Sequence, residues 1–273
     1  MSDWAGRLIA NGHADAQMVA EVERVLEAAA LRPGDTVLDV GSGLGLLTLA
    51  AHDRIGDGWV IAVDPSVAAL EELLRLAHEV DANGIMYLVG DAEVLPLPDA
   101  SIDAAVLRSV LVQVVDLECA VRELARVLRP DGRLSLGEPL DGGATALSTA
   151  VDWSPVGSLG ARVVALSHEL SASGPLRRLD ADVLAAVLEA SGFVELDTSI
   201  EDPGESWQVT AESVEARLDA RAAPGSPTLR ESWQEAFEVD GVDALVAHLK
   251  SLAGQTITFR RPHLYLSARR AAQ

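Results

Sequence analysis

The chain has 273 residues, 49% of them apolar, enough to bury one large α/β core with appendages or two small domains without covalent staples. The lone Cys119 excludes a disulfide framework or a thiolate metal cage within the chain. The 42 acidic against 21 basic residues leave a formal charge of -21, which repels nucleic acid phosphates and anionic headgroups, so nucleic acid is not an expected partner.

No run of about 18 apolar residues is present, and Met1 to Arg7 lacks a basic segment leading into an apolar stretch, so no membrane association and a soluble cytoplasmic protein are expected. Residues 14–30 then read as an amphipathic helix with Val19, Val22, Leu26 and Ala29 on one face. Strands are expected at 36–40, 59–63, 85–89, 102–107 and 133–137, with helices at 44–54, 67–78 and 117–128 between them. The last of these helices stops at Arg129-Pro130-Asp131-Gly132, a turn signal. Apolar runs alternating with helical patterns at this spacing read as βα units on a parallel sheet.

Past Gly137 the rhythm changes. Residues 139–178 read as an inserted cover segment with a helix at 160–170, and the βα pattern returns once at 179–200. There Asp180 caps a helix at 181–190, Ser191-Gly192 stops it, and a strand follows at 193–200. Residues 201–254 form a helical insertion, with helices at 211–222, 229–238 and 242–252 and a loop at 223–227; residues 256–268 alternate as a closing strand. The domain reading is an N-terminal helical cover (1–30), a cofactor-binding core (31–138) completed by 179–200 and 255–273, and the two insertions.

The most informative stretch is Val37-Leu38-Asp39-Val40-Gly41-Ser42-Gly43-Leu44-Gly45, which puts a glycine turn between a buried strand and a helix. A dinucleotide fingerprint spaces its glycines Gly-x-Gly-x-x-Gly so that a pyrophosphate meets backbone N–H groups. Here the third glycine, Gly45, arrives one position early, Leu46 follows it, and no Lys or Arg lies between Thr36 and Asp53. With Asp39 at the strand end, the turn suits a positively charged ligand such as S-adenosylmethionine, which has a sulfonium, an ammonium and no phosphate. Asp64 ends the second strand 19 residues past Gly45, where a doubly wound fold binds ribose hydroxyls, and Asp91 stands at the end of the third strand, placed for an adenine amino group.

Together with Val63-Asp64-Pro65-Ser66, Gly90-Asp91-Ala92-Glu93-Val94-Leu95-Pro96-Leu97-Pro98-Asp99 and Glu123-Leu124-Ala125-Arg126-Val127-Leu128-Arg129-Pro130-Asp131-Gly132, that turn resembles the class I S-adenosylmethionine-dependent methyltransferases. Within them it is most similar to the small-molecule group that includes the ubiquinone/menaquinone-biosynthesis enzymes. The resemblance spans about residues 30–140 and, more loosely, 179–200. It implies an α/β fold: a doubly wound, seven-stranded, mostly parallel Rossmann-like sheet of order 3-2-1-4-5-7-6, last strand antiparallel, under a helical cover. It further implies that Asp39, Gly41, Ser42, Gly43 and Gly45 line the methionine end of the cofactor, that Asp64 and Pro65 adjoin the ribose, and that Asp91 and Ala92 hold the adenine. Arg108 and Ser109, which stand where many relatives carry Asn or His, would contact the methionine carboxylate and the edge of the acceptor pocket.

The implied reaction is methyl transfer to an O, N or C atom of a small, apolar or aromatic metabolite. An in-line displacement mainly needs alignment, and a neutral acceptor also needs a base, for which His168 and Glu138 are the candidates. His52, His78 and His248 lie in helical patterns and read as surface positions, and no His pair has metal-ligand spacing, so no metal is expected. Trp4, Trp153, Trp207 and Trp233 fall outside the βα core and read as anchors, each for its own peripheral helix. Arg260, Arg261 and His263 read as salt-bridging positions. The alternatives are a nicotinamide-dependent oxidoreductase and a non-catalytic S-adenosylmethionine-binding protein. The 201–254 insertion offers amphipathic helices for a homodimer.

Overall fold

Residues 16–140, 144–173, 179–202, 204–220, 227–260 and 262–272 are described in the computed structural model. In chain order the elements are α1 (Ala16–Ala28), β1 (Thr36–Val40), α2 (Leu46–Ile55), β2 (Trp59–Asp64), α3 (Val67–Glu79), β3 (Ile85–Val89), β4 (Ile102–Arg108), α4 (Leu117–Val127) and β5 (Leu128–Pro139). They continue with α5 (Ala144–Ala150), a 3-10 turn at Ser154–Val156, α6 (Ser158–Ser173), α7 (Ala181–Ala190), β6 (Phe193–Glu201), β7 (Glu205–Gln208), α8 (Ala211–Asp219), α9 (Leu229–Ala236), α10 (Val239–Ser251), β8 (Thr256–Phe259) and β9 (His263–Arg270). Trp4, His13 and Arg261 lie outside the described residues.

Two units partition these elements: the described parts of 1–138, 180–200 and 264–273, and those of 139–179 and 201–263. In the first, seven strands form one sheet of order β3-β2-β1-β4-β5-β9-β6, the order that the family resemblance implies with β9 as the seventh strand. The pairings β1·β2, β1·β4, β2·β3 and β4·β5 are parallel. Val37, Leu38 and Val40 are buried because a central parallel strand has helices on both faces. On one face, Val22, Val25 and Leu26 of α1 pack with Leu49, Leu73 and Val106 in a single core. Side-chain caps start three of the helices: the Ser66 hydroxyl accepts the Ala69 N–H, the Asp116 carboxylate that of Cys119, and the Asp180 carboxylate, the cap expected from sequence, those of Asp182 and Val183.

Two expectations are corrected here. The Arg129-Pro130-Asp131-Gly132 turn does not precede β5 but is absorbed into it as an irregularity: Ile102 pairs with Leu128 and Ala104 with Arg133. The closing strand expected at 256–268 is two strands, β8 and β9. Only β9 joins the large sheet, while β8 pairs antiparallel with β7, a strand the sequence did not signal.

The second unit gathers both insertions around one core. Trp153 and Trp233 meet edge to face with centroids 6.0 Å apart, and Trp207 stacks on Phe259 at 6.3 Å. The tryptophans therefore share a core instead of anchoring separate helices, and removing a buried ring of this size costs about 3–5 kcal/mol. His248, expected at the surface, is buried: a ring nitrogen lies 2.8 Å from the Asp152 carbonyl and the ring packs 5.5 Å from Trp153. His263 is buried as well, whereas Arg260 pairs with Asp202 at 2.6 Å, the salt-bridging role read from sequence. Among the described residues no helix is long and apolar enough to cross a membrane.

Candidate functional site

The central strands of the first unit end along one line. Val40 pairs with Val63 and with Leu107, and Asp64 with Val89, so the segments leaving β1 to β4 emerge at one edge of the sheet. That edge is where doubly wound sheets bind their ligands. The glycine turn (41–45), Asp64-Pro65-Ser66, Gly90-Asp91-Ala92 and Arg108-Ser109 all leave from it, as expected from sequence.

The three glycines of the turn have positive φ and different surroundings. A Cβ on Gly41 would meet Val110 Cγ2 at 2.5 Å and one on Gly45 would meet Leu73 Cδ1 at 2.0 Å, whereas one on Gly43 would meet nothing within 4 Å. Gly41 and Gly45 thus permit close packing, and Gly43 faces open space. Beside it, the Ser42 hydroxyl is buried with no hydrogen-bond partner among the described residues. A buried, unpaired hydroxyl is costly unless something else bonds it.

Four of the five amides of this turn are already engaged. Gly41 and Ser42 donate to the Val63 carbonyl at 2.8 and 3.1 Å, Gly45 to the Ser42 carbonyl at 2.8 Å, and Gly43 to Asp64 Oδ2 at 2.8 Å. A pyrophosphate cradle needs such N–H groups free for the ligand. Two carboxylates add to the mismatch with a dianionic group. Asp64 is 8% exposed and takes one N–H on each oxygen, Gly43 on Oδ2 and Ser66 on Oδ1, which leaves each oxygen a further lone pair.

Asp39 lies deeper, 1% exposed, where its Oδ2 accepts the Thr48 hydroxyl at 2.5 Å. Burial pushes its pKa up to about 7; the Thr48 bonds oppose that rise, and the neighbouring Asp64 charge adds to it. Thr48, on α2, was not singled out by the sequence. Asp91 is exposed, with Oδ1 accepting the Glu93 N–H at 2.8 Å, while Ala92 is buried and Pro65 exposed.

The loop between β3 and β4 is clamped from α4. Glu123 accepts the Leu95 N–H at 2.8 Å and holds Arg126, whose guanidinium donates to the carbonyls of Leu95 and Leu97 and to Asp99. This explains why Glu123 and Arg126 stand one helical turn apart.

Three residues expected at the site are engaged by other partners. Arg108, expected at the methionine carboxylate of the cofactor, donates to Glu21 of α1 at 3.1 Å, and Glu21 is itself nearly buried. Ser109 takes a positive φ of 58° and donates its N–H to the Gly137 carbonyl at 2.9 Å. Glu138, expected as a base, is 0% exposed and accepts the amides of Val110, Leu111 and Val112. A carboxylate so enclosed and so bonded is not available to an acceptor. His168, the other candidate base, is exposed on α6 in the second unit.

Residues 38–136 match the methyltransferase domain family. A ubiquinone/menaquinone biosynthesis C-methyltransferase of Shewanella frigidimarina is 36% identical over 111 residues, covering 40% of this chain and 44% of that protein. The enzyme of the same name from Escherichia fergusonii is 31% identical over 185 residues, covering 63% of this chain and 71% of that protein. The chain thus spans under half the length of the first relative and over two thirds of the second. The crystal structure of the YcgJ protein of Bacillus subtilis shares the fold, with a TM-score of 0.63 at 19% identity over 93% of this chain and 99% of that one. With the strand order, the glycine turn and the acids at the strand ends, these matches establish that the chain belongs to the class I S-adenosylmethionine-dependent methyltransferases.

Proposed function

We propose that the chain binds S-adenosylmethionine at the β1–β4 edge and transfers its methyl group to an O, N or C atom of a small, apolar or aromatic metabolite. The observation that carries the reading is the pairing of a buried, unpartnered Ser42 hydroxyl with the open face at Gly43, beside two carboxylates and four backbone amides that are already taken. Such a site fits a cationic adenosyl ligand and not a pyrophosphate. When bound, S-adenosylmethionine supplies an electrophilic methyl on a sulfonium leaving group. Asp39, Gly41, Ser42, Gly43 and Gly45 would hold its methionine end, Asp64 and Pro65 its ribose, and Asp91 and Ala92 its adenine. A positive ligand beside Asp39 favours the charged carboxylate and so offsets part of its burial cost.

The chain's own contribution is alignment of the acceptor and exclusion of water. Glu138 is occupied elsewhere, so His168 is the residue of this reading that takes a proton from a neutral acceptor. The relatives named as C-methyltransferases favour a carbon acceptor. The helical segment 201–254 is proposed to pair two copies of the chain, which the solution mass tests directly.

Titration calorimetry with S-adenosylhomocysteine and with a nicotinamide dinucleotide, followed by transfer of a labelled methyl to a panel of phenols, quinols and amines, tests the function. Binding of the adenosyl ligand and label in one acceptor class are expected. Dinucleotide binding without adenosyl binding overturns the proposal, and adenosyl binding without any acceptor leaves a non-catalytic binding protein.

A further inference from the structure

Glu138 is fully buried in a place where the mechanism has no use for a base, and its surroundings say what it does. Its Oε1 accepts the N–H groups of Val110 and Leu111 at 2.9 and 3.0 Å, and its Oε2 that of Val112 at 3.3 Å. Three successive amides aimed at one carboxylate form an anion nest, the arrangement that favours charge on the acceptor. The same segment closes on itself through the Gln113 N–H and the Val110 carbonyl at 2.8 Å, and is fixed at its start by the Ser109 N–H on the Gly137 carbonyl.

What this short turn carries is Val110. Its side chain lies where a Cβ on Gly41 would be, 2.5 Å from Cγ2, so it abuts the first glycine of the cofactor turn. A continuous path therefore runs from the end of β5 through three backbone amides to Val110 and on to Gly41. We propose that Glu138 is a positioning residue: through the Val110–Val112 turn it sets the conformation of the glycine turn and thereby cofactor affinity, without touching the ligand.

Burial pushes the Glu138 pKa up to about 7 even against the three amides and the Arg108 charge, which pull it down. A neutral leucine at this position would leave three buried N–H groups without an acceptor. The sequence has spent a buried carboxylate here, which a purely apolar core does not require.

The inference rests on the cofactor reading above, and the experiment separates the two. Wild type, Glu138→Gln, Glu138→Leu, Val110→Ala and, as a core control in α7, Leu188→Ala are compared for S-adenosylhomocysteine affinity by calorimetry well below each melting temperature. Glu138→Leu is expected to weaken binding at least about tenfold, with partial rescue in Glu138→Gln, whose carbonyl oxygen still accepts from Val110 and Leu111. Val110→Ala weakens binding in the same direction with all nest amides still paired, and Leu188→Ala lowers stability with affinity unchanged. In turnover, KM for the methyl donor rises and kcat holds. Absence of binding by the wild type removes the cofactor reading itself. Wild-type binding matched by Glu138→Gln and Val110→Ala overturns the positioning role, and should the Leu variant fail to fold, those two decide alone.

Discussion

Asp64 accepts the Gly43 N–H at 2.8 Å, so the acid that ends β2 also closes the turn that leaves β1. One carboxylate thereby joins two of the motifs read from sequence, and a change at Asp64 acts on both the ligand's ribose and the turn around it. Replacing Asp64 with Asn, which keeps one acceptor oxygen for the backbone, is expected to weaken S-adenosylhomocysteine binding by about 1.5–3 kcal/mol. Calorimetry reads this directly, and an unchanged constant removes Asp64 from the ribose contact.

The glycines of the turn separate packing from ligand approach. Gly45→Ala drives a methyl to within 2.0 Å of Leu73 Cδ1 at a φ of 86°, so the variant is expected to lose several kcal/mol of stability. At Gly43 the new methyl meets nothing within 4 Å and costs only the strain of φ 51°, about 1–2 kcal/mol. Its effect appears instead as lost cofactor affinity. Equal stability losses at both positions, with affinity intact at Gly43, would contradict this assignment.

Asp39 makes the fold sensitive to pH. Its folded pKa of about 7 lies above the ordinary 3.8, so between those values the native state keeps a proton that the unfolded chain has lost. The associated stability is fully present below about pH 4 and is lost as pH rises through 7. Glu138, raised to about 7 by burial, contributes in the same direction. Wild-type melting temperature is thus expected to fall between pH 5 and pH 8.5, and Asp39→Asn to fall less, gaining on wild type by an amount on the order of a few kcal/mol at the alkaline end. A difference between the two proteins that is the same at both pH values disproves the link.

Arg126 ties α4 to the 95–99 segment through two carbonyls and the Asp99 carboxylate, and is held in place by Glu123 of its own helix. Its guanidinium is about a third exposed, so the ion pairs are partly screened, and the loss of the carbonyl bonds dominates. Arg126→Ala is expected to cost about 1–3 kcal/mol and to raise amide exchange at Leu95, whose N–H is held by Glu123. Exchange at Val106, in the centre of β4, should not change until global unfolding. Uniform acceleration across both sites would show that the clamp is not local.

If His168 is the base for a neutral acceptor, His168→Ala is expected to lower kcat by about 10²–10⁴-fold. Cofactor affinity stays the same. A variant with full activity leaves the acceptor to be activated by its own acidity.

The local grammar of the chain was sufficient for much of this. Apolar runs at βα spacing gave away six strands of the large sheet and their order follows from the family resemblance; the early Gly45, the missing basic residues and Asp64 marked the cofactor edge. Each of these is written within one strand-turn-helix unit, where periodicity and turn chemistry are direct records of backbone conformation. Partners contributed by distant segments are not written that way. Glu21 lies 87 positions from Arg108, and Glu138 lies 26 to 28 positions from the amides it holds, so neither pairing leaves a mark on local pattern.

The same limit applies to the two insertions. All of their helices but α5 were legible one by one from apolar spacing, whereas caps such as Thr210 and Thr228 emerged only in the structure. That Trp153, Trp207 and Trp233 share one core, and that the strand expected at 256–268 splits between two sheets, was decided by tertiary packing. An apolar face specifies that a segment must be covered; only the folded chain selects which other segment covers it, because burial is non-directional and hydrogen-bond partners are chosen by proximity in space.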